Sequence, residues 1–78
     1  MRNREVARAW ARGESARAAN LQTDGGNLFS YGLRIGYRNE AGDAVAVPYR
    51  AGSRYGFVSA TTSRHVGLAL QYCDAVAD

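Results

Sequence analysis

The sequence predicts an α+β domain: an N-terminal helix, a three-stranded antiparallel β-meander and a C-terminal helix, with both helices on one sheet face. Three observations lead there. Residues 29–38 alternate between apolar and small or polar side chains, the period of a strand with one buried face. Apolar residues recur at helical spacing near both ends of the chain. Clusters of Gly, Asn, Asp and Ser separate these segments and mark turns.

The first element is a helix expected from about Asn3 to Ala19. Asn3 is a candidate N-cap, and Glu5 suits the positive end of the helix dipole. Val6, Ala9, Trp10, Gly13 and Ala16 share one face. Arg4, Arg8 and Arg12 form a second stripe, and Gly13 is a point where the helix loosens. Asp24-Gly25-Gly26-Asn27 signals a turn.

The second element is a strand in which Phe29, Tyr31, Leu33, Ile35 and Tyr37 alternate with Ser30, Gly32, Arg34, Gly36 and Arg38. Asn39 to Asp43 reads as a hairpin loop. A strand from Ala44 to Arg50 follows, placed at an edge or ended by a bulge because of Pro48. A third strand is expected from Arg54 to Ser59. The last element is a helix from about Thr62 to Ala77, capped by Ser59 or Thr61. Val66, Ala69, Leu70, Cys73, Val76 and Ala77 form its apolar face.

Seventy-eight residues form one domain, 1–78, near the lower limit for a single core without staples. Cys73 is the only cysteine, which fits a reducing compartment. The start Met1-Arg2-Asn3-Arg4-Glu5 leads into no apolar run of the kind a signal peptide has. No stretch approaches the ~18 apolar residues of a membrane span. The net charge is +3, and all ten Lys+Arg positions are arginine. Arginine suits interfaces through its planar fork and its capacity to stack. The charge is too mild to announce nucleic-acid binding by itself.

The candidates for chemistry are few. His65 is the only histidine, with Thr61, Thr62 and Ser63 as neighbouring hydroxyls. No carboxylate lies near it in sequence to orient it as a base, so a structural role is expected. Cys73 reads as a buried thiol on an apolar helix face. One His and one Cys make no zinc site on their own. Gly32, Gly36 and Gly56 match no phosphate-loop or dinucleotide spacing, and close backbone approach explains them better. No catalytic residue, metal or cofactor is therefore expected. A chain of this kind works through a surface. The expected one is the uncovered sheet face, with Arg34, Arg38, Arg50 and Arg54 as partner-binding residues. The stripe Arg4, Arg8 and Arg12 is the second choice.

Asn27-Leu28-Phe29-Ser30-Tyr31-Gly32 and Ser59-Ala60-Thr61-Thr62-Ser63-Arg64-His65 resemble the "YSYG" and "TTS-basic-His" signatures of a family of small phage proteins without assigned function. Val6-Ala7-Arg8-Ala9-Trp10-Ala11 matches the opening helix of that family. Where the family often shows His-Phe-Pro after Tyr-Gly, this chain has Leu33-Arg34-Ile35. The resemblance implies a phage or prophage origin and no catalytic residues. With the lone cysteine and no signal-peptide or membrane-span pattern, the expected place is the cytoplasm of the bacterial host. The size and arginine-rich style are also similar to anti-CRISPR proteins directed at type I (type I-C-like) systems. The expected function is binding to a type I surveillance complex (Cascade), by way of a protein subunit, so that target DNA is not recruited. The alternative is a small basic nucleic-acid-binding accessory phage protein. The chain is expected to act as a monomer or homodimer.

Overall fold

The computed structural model describes residues 1–49 and 52–77. Helix α1 spans Asn3–Ala11. Arg2 is its N-cap, with Glu5 Oε1 accepting from the Arg2 backbone N–H at 3.3 Å. Its end comes eight residues before the expected Ala19. Gly13 takes φ +77°, its N–H reaches Trp10 O, and Glu14 N–H reaches Ala9 O. This paired closure satisfies the last carbonyls of the helix and turns the chain.

The residues beyond Gly13 form strands instead. β1 (Ser15–Arg17) and β2 (Leu21–Asp24) pair antiparallel. Ala16 and Arg17 are good helix formers, but the αL glycine three residues before Ala16 overrides local propensity. The Asp24–Asn27 turn forms as the sequence indicates. Asp24 Oδ1 accepts from Gly26 N at 2.9 Å and Asn27 N at 2.7 Å.

The expected single strand from Phe29 to Arg38 is two strands, β3 (Leu28–Ser30) and β4 (Leu33–Arg38). Tyr31 (φ +51°) and Gly32 (φ +82°) form the turn between them, with both central residues left-handed as in the tight turns that match strand twist. A bulge follows. Leu28 faces Gly36 while Phe29 faces Arg34, which leaves Ile35 as the extra residue. Ile35 and Gly36 are consequently both buried. The simple alternation therefore gives the wrong face for several residues: Ser30, Gly36, Ala44 and Ala46 are buried on the helix side, not on an open face.

β5 (Ala44–Ala46) pairs antiparallel with β4. The strand expected from Arg54 to Ser59 is absent. Ser53 instead holds a turn there, its Oγ donating to Pro48 O at 2.6 Å and accepting from Gly56 N at 3.2 Å. Helix α2 spans Ala60–Tyr72, and of the two candidate caps Ser59 serves, its Oγ accepting from Thr62 N. The chain then forms β6 (Ala75–Val76), parallel to β5. Adjacent parallel strands need a crossover connection, usually a helix, and α2 lies in that crossover.

Among the described residues the sheet thus has six strands in sequence order, mixed rather than a three-stranded meander. Val6 and Trp10 of α1 and Val66 and Ala69 of α2 pack into one cluster with Leu21, Leu28, Ile35, Ala44 and Ala46. Trp10 is fully buried, and its Nε1 donates to Gly26 O at 3.1 Å. No helix among the described residues is long and apolar enough to cross a membrane.

Candidate functional site

The strands place two sets of residues that bear on function. The first lies on the sheet face turned away from the helices. Ala16 and Ala18 pack against the core, so Ser15 and Arg17 point the other way. Leu28 and Ser30 are fully buried, which turns Phe29 outward between them. The pairings Arg17↔Gln22, Gln22↔Phe29 and Phe29↔Arg34 line these side chains up in one row across four strands. Arg17, Gln22 and Arg34 are exposed. Arg17, Gln22 and Phe29 line a depression of about 520 Å³.

The bulge extends this face. It brings Tyr37 to the side of Arg34, whose guanidinium lies 5.1 Å from the ring centroid. Without the bulge, residues three apart on a strand would point to opposite faces. Tyr37, Tyr49 and Tyr55 line a second depression of about 320 Å³ together with Arg34. Tyr49 and Tyr55 meet edge to face at 5.6 Å, and Arg54 lies 5.8 Å from the Tyr55 ring.

Of the arginines expected on one face, Arg38 does not join the others that the structure describes. Arg34 and Arg54 are exposed, one on β4 and one in the segment after β5. Arg38 is on the helix side. It donates to Trp10 O at 2.6 Å, to Gly42 O at 2.6 Å and to Gly25 O at 3.4 Å. It ties the end of α1 to two turns and has a structural role. Arg50 lies outside the described residues. Arg4, Arg8 and Arg12 are exposed along α1. Arg17, Gln22 and Phe29 were missed. The alternation Leu21-Gln22-Thr23-Asp24 was the available signal, and it is only four residues long.

The second set is buried. Ser30 Oγ lies 2.6 Å from His65 Nδ1 and donates to Thr62 Oγ1 at 3.2 Å. Asn3 Nδ2 lies 3.2 Å from His65 Nε2. One self-consistent arrangement is a neutral ring with its hydrogen on Nδ1, donating to Ser30 and accepting from Asn3. Burial lowers the His65 pKa, which favours that neutral ring. Ser30 is 0% and His65 2% exposed, and the Tyr31 ring stacks on the imidazole at 6.1 Å. In that arrangement Ser30 Oγ accepts from the ring N–H. In the sequence the hydroxyls nearest His65 are those of Thr61, Thr62 and Ser63. The fold brings Ser30 to His65 as well, and so joins the two segments that carry the phage-family resemblance.

Cys73 is half-buried at the end of α2, packed against the core, with Sγ 3.4 Å from Leu70 O. Among the described residues no three His, Cys, Asp or Glu side chains gather as a metal site would require. Comparison with family models, with curated proteins and with solved structures finds no match.

Proposed function

We propose that this protein acts by binding, as a phage or mobile-element inhibitor that docks on a type I CRISPR surveillance complex and keeps target DNA from being recruited. The observation that carries the binding role is the row Arg17, Gln22, Phe29 and Arg34, held in fixed relation on the outer sheet face. The strands fix the backbone positions of these side chains before docking, and arginine is enriched among residues that dominate interface energy. The sealed Ser30–His65 pair supports binding over turnover. The choice of target rests on the resemblance of the two signature segments and on the likeness in size and style to anti-CRISPR proteins.

A face with these arginines meets a negatively charged surface of the complex, whether protein carboxylates or nucleic-acid phosphates. It does not imitate DNA in a positive channel, so exclusion of DNA is by occlusion. The test is direct binding of variants to a purified type I surveillance complex, with circular dichroism as the folding control. Arg17→Glu and Arg34→Glu should abolish capture, whereas Arg8→Glu and Arg12→Glu should do less. Loss in the helix variants with retention in the sheet variants would move the interface to α1. A wild-type protein that ignores the complex would remove this target.

A further inference from the structure

We propose that the outer sheet face is a platform for single-stranded nucleic acid, an inference that rests on the reading of this face as the working surface. Three features carry it. The first is spacing. Arg17 and Arg34 stand at the two ends of a four-strand row, roughly 14 Å apart at the backbone for strands ~4.8 Å apart. Phe29 lies between them, held outward because its neighbours Leu28 and Ser30 are fully buried.

The second is the order of groups along the face. Past Phe29 come the Arg34 guanidinium over the Tyr37 ring and the Arg54 guanidinium beside the Tyr55 ring. Depressions of about 520 and 320 Å³ flank the Phe29–Arg34 pair. Cationic groups therefore alternate with flat apolar rings over most of the sheet. Asp24 is the carboxylate at the rim of the first depression. It accepts from Asn27 and Gly26 N–H of its own turn, which lowers its pKa.

The third is what different partners offer. An acidic peptide satisfies guanidinium groups but offers the Phe29 ring no flat face to stack on. A duplex offers phosphates but keeps its base faces inside the stack. A single strand offers both, since every base has a π-face and every link a phosphate. Gln22, between the arginine and the ring, carries an amide that reaches either base edges or phosphate oxygens. CRISPR effector complexes contain such strands in the guide RNA and in the displaced DNA, so this contact is compatible with blocking recruitment. Recognition by stacking is sequence-tolerant, and so few charges make it weak, with a shallow dependence on salt.

The experiment is fluorescence anisotropy with a labelled 12-mer of deoxythymidine, a labelled 12-mer of uridine and a labelled duplex of equal length. The result expected is preference for single strands over the duplex. The two single-stranded arms tell DNA from RNA. Phe29→Ala should weaken binding about ten-fold, and Phe29→Leu, which keeps an apolar side chain, should weaken it similarly. Arg17→Gln and Arg34→Gln should each reduce the slope of log affinity against log salt by about 0.7. Equal affinity for duplex, or unchanged affinity in both Phe29 variants, overturns the platform. If no oligonucleotide binds while the surveillance complex still captures wild type and loses Arg34→Glu, the platform fails and the docking face stands as a contact with acidic protein. If single strands bind through Phe29 and the complex is not captured, the platform stands and the inhibitor reading fails.

Discussion

Gly36 lies under the indole of Trp10, where an added Cβ would sit 2.6 Å from Cζ2. The contact is with the largest rigid side chain of the core, so neither partner can give way cheaply. We predict that Gly36→Ala destabilises the fold by about 1–3 kcal/mol, the usual cost of overpacking, read as a lower urea midpoint. Ser30 sets a comparable problem from the opposite direction. Ser30→Ala leaves the ring N–H of His65 without its acceptor in a buried site, at a cost of about 1–3 kcal/mol. His65 itself makes stability depend on pH. Its folded-state pKa lies below its ordinary value, so between the two the unfolded chain binds the extra proton. Stability from this group is fully present above about pH 6.5 and falls as pH drops from there toward the folded-state pKa. Thermal melts between pH 7.5 and 5 should show that fall, and His65→Gln should flatten it. An unchanged pH profile in His65→Gln would assign the effect to another group.

At the scale of elements, the arginines show why sequence reading reached part of the site. Arg34 was placed outward and is outward. Arg38 has the same position in the alternation and the opposite fate, because the bulge at Ile35 shifts everything after it to the other face. A period of two carries no mark of an inserted residue, and Ile35 is an unremarkable strand residue in sequence. We predict that Arg38→Glu unfolds or strongly destabilises the protein, since it removes the donors bridging Trp10 O, Gly25 O and Gly42 O and sets a carboxylate against those carbonyls. Circular dichroism distinguishes this from loss of a partner contact. The early end of α1 has a similar origin. Gly13 was legible as a weakness, but its role as the left-handed stop depends on carbonyls one turn earlier. Gly13→Ala should cost roughly 1–2 kcal/mol by forcing a Cβ into that conformation.

For the whole molecule, the α+β class and the existence of both helices were readable because amphipathic periodicity is local. Six strands in a mixed sheet were not, because β1, β3, β5 and β6 are two or three residues long. Strands that short carry too little pattern and are defined by their partners. The extents of 30 × 29 × 18 Å fit one helical layer on one sheet. This topology predicts an order of local opening. The central strands β2, β3 and β4 are paired on both sides and back the core, whereas β6 is a two-residue parallel edge. Hydrogen exchange should find the slowest amides in the central strands and early exchange in β6. The reverse order would show that the crossover, not the meander, is the most stable unit.

The packing of Trp10 gives the protein a built-in optical gauge. It is the only tryptophan in the chain, sealed between α1 and the inner surface of β4. The proposed contact row lies on the reverse of the same sheet. Its emission should therefore be blue in the native state, shift red on unfolding, and stay constant when a ligand settles on the outer rings. One cuvette can then hold two independent signals, tryptophan for folding and a labelled partner for docking.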